Sequence, residues 1–174
     1  MTSVSAVFLG DIGVGKTTFL TTASEGRARP NIKSTLGVDN IIYRDQRRIL
    51  RCWDTSGSDR FIHVIPLFVR RCDVAVYVVD ARRPQTFENI KKWHELVCRS
   101  EDAPEEHLIV VLKMEDEMTI PSYPGIEVVD GRYAQDVMRD ILDRGEQRQG
   151  LRRHASFDLE TESVETRCCF RLCL

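Results

Sequence analysis

The stretch "GDIGVGKTTFL", Gly10 to Leu20, follows directly on the apolar run "SAVFL" and constrains the fold more than any other part of the chain. Gly10, Gly15, Lys16 and Thr17 complete the pattern G-x-x-x-x-G-K-[ST]. Glycines at these points let the backbone wrap closely enough for its N–H groups to face phosphate oxygens. A helix starting near Lys16 adds the positive end of its dipole. In such a loop Lys16 reaches the β- and γ-phosphates and the Thr17 hydroxyl ligates Mg²⁺. Gly10, Asp11, Ile12, Gly13, Val14, Gly15 and Thr18 complete the cradle. A Gly-rich strand-to-helix turn without a ligand is the plain alternative.

Around this loop the patterns alternate. "VSAVFL" (4–9) reads as a strand, and "GKTTFLTTASEG" as a helix ending near Gly26. "NIIYRDQRRILRCW" reads as a hairpin with its turn near Arg44 to Arg47. "DVAVYVVD" (73–80) and "HLIVVL" (107–112) are continuous apolar strands. Between them, residues 84–97 place Phe87, Ile90, Trp93 or His94, and Val97 at helical spacing after Pro84. Over 132–145, Tyr133, Val137 and Ile141 form a one-sided helix that Gly145 could end. Continuous apolar strands alternating with amphipathic helices predict an α/β domain, its mainly parallel sheet covered on both faces. The expected domain is 1–148. Residues 149–174 are polar and aperiodic and read as a tail outside the fold.

Composition excludes several classes. The chain has 174 residues, 42% hydrophobic and 30% charged, which suits a single globular domain. A net charge of −2 gives no electrostatic case for nucleic acid. No run approaches the roughly 18 to 20 apolar residues of a membrane helix. The N-terminus lacks the layout of a secretory signal, and Thr2 rules out myristoylation. Of six cysteines, Cys52, Cys72 and Cys98 lie in or beside apolar segments and suit a reduced, cytosolic protein. No Cys-x-x-Cys pair points to zinc.

The loop alone does not separate kinases, ATPases and GTPases, but "WDTSGSDRF" (53–61) does. An Asp at a strand end can hold Mg²⁺ through water, and a Gly three residues on can offer its N–H to a γ-phosphate. Asp54 and Gly57 fit those roles. The string resembles the Trp-Asp-Thr-Ala-Gly-Gln-Glu-Arg-Phe signature of Ras-superfamily small GTPases, the Rab branch in particular. "STLGVD" (34–39) resembles the first switch of that branch, and "VAVYVVDARRPQTFENIKKWHELV" its central strand and following helix. The resemblance covers residues 4–115 and implies the P-loop NTPase fold of small G proteins. It implies that Thr35 closes over Mg²⁺ and the γ-phosphate, so that Thr17, Thr35 and Asp54 (the last through water) form the metal set. It further implies GTP and GDP as ligands, with Lys16, Thr35 and Gly57 acting in catalysis.

Four departures matter. Ser58 stands where the family has a water-orienting Gln, so intrinsic hydrolysis is expected to be slow. Ile12 crowds the space beside the γ-phosphate, at a position usually small. The Asn-Lys-x-Asp base reader falls on "LKME", Leu112 to Glu115. There Lys113 can stack on a base and Glu115 keeps a carboxylate one methylene too long, while Leu112 offers no hydrogen bond. A one-residue shift brings in Asp116, and 113–118 could also be a solvated charged loop. Lastly, the usual helix near 116–126 is expected to be missing, because "DEMTIPSYPG" holds two prolines. "EVVDG" (127–131) replaces the base-backing loop.

The resemblance implies a Rab-like GTP/GDP switch in vesicle trafficking or signalling, with effectors and regulators meeting 32–45 and 56–70. The alternative is a pseudo-GTPase interaction module that binds nucleotide constitutively or weakly and does not cycle. "RCCFRLCL" ends the sequence; Cys168, Cys169 or Cys173 could carry lipid, although neither the usual Rab ending nor C-a-a-X is met. The expected location is cytoplasmic, or peripheral on the cytosolic face of an endomembrane or the plasma membrane.

Overall fold

The computed structural model describes residues 2–27, 29, 32–70, 72–115, 118–119 and 122–158, with 152–158 as helical backbone alone. The elements in chain order begin β1 (Thr2–Leu9), α1 (Lys16–Glu25), β2 (Val38–Asp45) and β3 (Arg48–Thr55). A 3₁₀ segment, Asp59–Val64, leads into α2 (Ile65–Val69) and β4 (Val74–Asp80). Then come α3 (Gln85–Glu88), α4 (Ile90–Cys98), β5 (Glu106–Leu112), β6 (Glu127–Asp130) and α5 (Ala134–Asp158).

The strands form a single six-stranded sheet in the order β2-β3-β1-β4-β5-β6. β2 runs antiparallel to β3, and every other pairing is parallel. The apolar runs are continuous because both faces of each central strand are covered. Val4, Ala6 and Phe8 of β1 join Val74, Val76 and Val78 of β4 in one core, under α1 and α5. The alternate residues Val7, Leu9, Ala75, Tyr77 and Val79 enter a second core under α2 and α4. A period of two along each strand thus feeds two separate cores. The P-loop NTPase architecture expected from the sequence is the one observed.

Several local expectations need correction. The hairpin turn is tighter than expected: β2 ends at Asp45 and β3 starts at Arg48, with Gln46 in the left-handed region at φ 52°. The helix expected over 84–97 is two pieces meeting at Asn89, where Trp93 N–H still reaches the Asn89 carbonyl at 3.3 Å. Tyr133 precedes α5 and is 64% exposed, while the buried stripe is Val137, Met138, Ile141 and Leu142.

Gly145 does not end α5. A Cβ there would lie 2.2 Å from Val4 Cγ1, so the glycine lets the helix approach β1 closely at this point. The helix also runs through the expected boundary at 148, to Asp158. Just beyond that boundary, the Gln149 side-chain amide donates to the Ser3 carbonyl at 2.9 Å and to Asp73 Oδ2 at 3.0 Å. Residue 149 therefore belongs to the fold; 159–174, with Cys168, Cys169 and Cys173, lie outside the described residues. Between β5 and β6 the described residues contain no helix, and a Tyr123–Ile126 bridge closes a turn there.

Candidate functional site

The loop between β1 and α1 opens at the C-terminal edge of the parallel strands, where open α/β sheets bind ligands. Gly15 sits ahead of α1 at φ 116° with no side-chain cap on the helix, so the first turn of α1 presents its backbone to the site. A cavity of about 160 Å³ lies against the loop, lined by Ile12, Gly13, 15–18, 32–35 and 55–57. Most of the expected phosphate and metal residues meet around this cavity.

Lys16 is only 6% exposed, and its Nζ donates to the carbonyls of Gly10 at 2.7 Å and Asp11 at 3.0 Å. Burial pushes its ammonium down to about 8, against the attraction of Asp54 and Asp11. A cation held this far below its usual range gains charge stability from any anion that enters.

Opposite Lys16, Thr17 from α1, Thr35 from the segment before β2, and Asp54 from β3 converge. The Thr17 and Thr35 hydroxyls donate to the same Asp54 Oδ2, at 2.6 and 2.9 Å. Asp54 is fully buried, and its Oδ1 has no hydrogen-bond partner. Burial pushes its carboxyl upward, against the two threonine bonds and the Lys16 charge. An orphaned buried carboxylate oxygen beside two hydroxyls is a hard oxygen donor set, and it fits Mg²⁺. Thr17, Thr35 and Asp54 would hold that ion.

Gly57 crosses directly over the loop. A Cβ on it would stand 2.2 Å from Ile12 N and 2.3 Å from the Asp11 carbonyl carbon, so only glycine fits. The Ser56 N–H donates to the Gly37 carbonyl at 2.7 Å, tying this segment to the one that carries Thr35. Ser58 is half-buried, its N–H on Ser56 Oγ at 3.3 Å. Ile12 lines the cavity and is 57% exposed.

Two loop residues face elsewhere. Val14 is fully buried in the α1–α5 core, leaving its backbone for the site. The Asp11 carboxylate accepts from Trp93 Nε1 at 2.9 Å and from Asn89 Nδ2 at 2.7 Å, which fastens the loop to α4. A buried indole N–H requires an acceptor, and the loop supplies it. Asn89 and Trp93 had no assigned role in the site on sequence reading, although both stand in "FENIKKW".

On the base side, Lys113 adopts φ 59° and donates to the Gly13 carbonyl at 3.0 Å and to Asp80 Oδ2 at 2.6 Å. Leu112 is 8% exposed, its methyls wedged between Gly15 and Gly131. Glu115 is exposed, and Asp116 lies outside the described residues. Asp80 and Arg83 were also missed. The Asp80 signal is a carboxylate that closes an apolar strand at the ligand edge of the sheet.

Comparison with known proteins agrees with this geometry. Residues 6–116 match the family model "Ras of Complex, Roc, domain of DAPkinase". The chain is 29% identical over 147 residues to the "Ypt/Rab-type GTPase YPT7" of Saccharomyces cerevisiae, covering 80% of this chain and 69% of that protein. It is 32% identical over 117 residues to the "Ras-related protein RABG3f" of Arabidopsis thaliana, covering 64% of this chain and 57% of that one. It is 31% identical over 110 residues to the "Ras and EF-hand domain-containing protein" of Xenopus tropicalis, 61% of this chain but 15% of that protein. The glycine-rich loop ahead of α1, the meeting of Thr17 and Thr35 on Asp54, and a family match over residues 6–116 lead to one placement: the chain belongs to the Ras superfamily of GTPase domains.

Proposed function

We propose that this protein is a Rab-like switch that binds GTP and GDP with Mg²⁺ and hydrolyses GTP slowly. The observation that carries this is the convergence of Thr17 and Thr35 on a buried Asp54 whose second oxygen has no partner. Lys16 and the loop N–H groups would neutralise charge on the β- and γ-phosphates. Thr17, Thr35 and Asp54 would hold Mg²⁺, whose positive charge would help offset the charge of the phosphates. Water would attack the γ-phosphorus in line and the β–γ bridging bond would break, leaving GDP and phosphate. Ser58 and the bulk of Ile12 favour a slow step.

Residues 32–45 and 56–70 flank the terminal-phosphate side and would change conformation between the two nucleotide states, presenting different surfaces to effectors. Among the described residues no helix is long and apolar enough to cross a membrane. Attachment to a cytosolic membrane face, and work in vesicle transport, would rest on lipid at Cys168, Cys169 or Cys173, by prenylation or palmitoylation, two lipids being needed for stable anchoring.

A second reading, a non-cycling pseudo-GTPase, is favoured by Leu112, which puts hydrocarbon where the family reads the base. Denaturing the purified protein and chromatographing what is released separates the two. Released GDP supports the switch, released GTP supports the non-cycling module, and an empty protein counts against the switch.

A further inference from the structure

Asp80 closes β4 with 2% exposure and gathers two cations on one oxygen. Its Oδ2 accepts from Arg83 Nε at 3.0 Å and from Lys113 Nζ at 2.6 Å. Burial alone would raise this carboxyl, but bonds from Lys113, the Arg82 N–H and Arg83 hold it below the usual range. Each cation then continues to the phosphate loop. Arg83 directs both terminal nitrogens at the Ile12 carbonyl, each at 3.3 Å, and Lys113 takes the next carbonyl, Gly13, at 3.0 Å.

A trans peptide points its C=O and N–H in opposite directions, and no cis bond is present here. Holding the Ile12 carbonyl outward therefore turns the Gly13 N–H the other way. Gly13 lines the cavity, and the Ile12 backbone there is also pressed by Gly57. A cation on the carbonyl withdraws electron density from the amide and makes its N–H a stronger donor, as hydrogen bonds in a chain polarise one another. The charge of Arg83 also reaches Lys16, where it adds to the downward pull of burial.

We propose that Arg83 is a positioning residue for the terminal phosphate, acting through the Ile12–Gly13 peptide whose carbonyl it grips while anchored on Asp80. The proposal rests on the reading of the cavity as a guanine-nucleotide site. Arg83 does not touch phosphate in this role; it orients and polarises one donor of the loop. Gly57 stands against Ile12 and lines the cavity together with Gly13 and Thr35, the residues assigned above to the γ-phosphate, so the effect favours a triphosphate over a diphosphate.

The experiment measures GTPγS and GDP affinity for wild type, Arg83→Met and Arg83→Lys, with urea unfolding of each. Arg83→Met keeps the hydrocarbon stem and drops every donor. It is expected to lower the GTPγS-to-GDP affinity ratio by about tenfold, the weight of one charge-assisted hydrogen bond, while GDP affinity stays within about twofold. Arg83→Lys keeps the charge but, with a single ammonium, cannot reproduce the fork onto Ile12 and Asp80, and is expected to recover part of the ratio. A parallel loss of both affinities, or an unchanged ratio, overturns the inference while GDP binding by wild type upholds the nucleotide site. Wild type that binds neither nucleotide overturns both.

Discussion

The hydroxyls of Thr17 and Thr35 lie 2.8 Å apart although 18 residues separate them in the chain. Both donate to one oxygen of Asp54, and the other oxygen is buried without a partner. An uncompensated buried carboxylate costs stability until a cation arrives. In Asp54→Asn that charge is gone, so the nucleotide-free protein should melt at an equal or higher temperature than wild type. The rise in Tm on adding Mg²⁺ with GDP should shrink sharply. A Mg²⁺-dependent rise that survives in the variant would remove Asp54 from the metal set.

Lys16 gives the site a pH signature. Its ammonium lies near 8 in the protein and at 10.5 when exposed, so between those values the unfolded chain holds more protons. Stability of the nucleotide-free protein should therefore rise over that window from this group. A bound phosphate restores the charged form, so nucleotide binding above about pH 8 takes up a proton. Calorimetry at pH 8.5 in buffers of different ionisation enthalpy should show net proton uptake, and affinity should fall as the pH climbs further. Lys16→Met should abolish the uptake. Binding without uptake in wild type would mean that Lys16 does not meet the phosphates.

Two glycines of α5 should respond with opposite signs. A Cβ at 145 would strike Val4, whereas one at 150 meets nothing within 4 Å. Gly145→Ala should destabilise by about 1–3 kcal/mol through overpacking. Gly150→Ala should stabilise by about 0.5–1 kcal/mol through helix propensity and a less flexible unfolded chain. Urea unfolding of both variants checks the pair, and a destabilised Gly150→Ala would show that the helix beyond 148 is not packed as described.

The segment Val74–Asp80 was legible because a strand covered on both faces must be apolar throughout, which leaves a plain mark in sequence. Lys16, Thr17, Asp54 and Gly57 could be singled out because each stands in a short motif at a strand end or in a loop, and the fold brings Thr17 to Asp54 and Gly57 to the loop. Gly145 misled because a glycine beside a polar stretch looks like a helix stop, whereas its cause is Val4, far away in the chain. Arg83 gave no comparable signal, and Asp80 only that of a carboxylate closing an apolar strand. Their partners, Lys113 and the Ile12 carbonyl, are separated from them by 33 and 71 residues, and only the parallel register brings them together. Asp11 read as a phosphate-loop residue, and its bonds to Asn89 and Trp93 needed the helix placement that only the fold supplies.

Ser58 sits one residue past Gly57, whose backbone rests on the loop at Asp11 and Ile12, and its own N–H is pinned to Ser56 Oγ. The backbone is thus held next to a cavity-lining residue, and on the proposed reading the defect is the reach of the side chain. Ser58→Gln should raise single-turnover GTP hydrolysis by at least about tenfold, with little change in GDP affinity. Unchanged hydrolysis would shift the defect to Ile12, and Ile12→Gly combined with Ser58→Gln would then be the variant to measure.

Base selection is the least conventional part of the site. Leu112 carries methyls against Gly15 and Gly131, so hydrocarbon fills the position that joins the loop to the end of β6. Lys113 is fixed at its ammonium by the Gly13 carbonyl and Asp80. On the proposed reading, the exposed carboxylate of Glu115 is the group that would meet guanine. Guanine presents two adjacent N–H donors, and a carboxylate one methylene too long meets them off axis. Shortening it in Glu115→Asp should raise the GTP-to-ATP affinity ratio by about tenfold, since a site that hydrogen-bonds a base discriminates by how well donors and acceptors are matched. Tripolyphosphate affinity should not change, because Glu115 does not line the cavity against the loop. The ratio is read by competition against a fluorescent nucleotide. If Glu115→Asp leaves it unchanged while Asp116→Asn collapses it, the reader is Asp116 and the base lies one residue further along the chain.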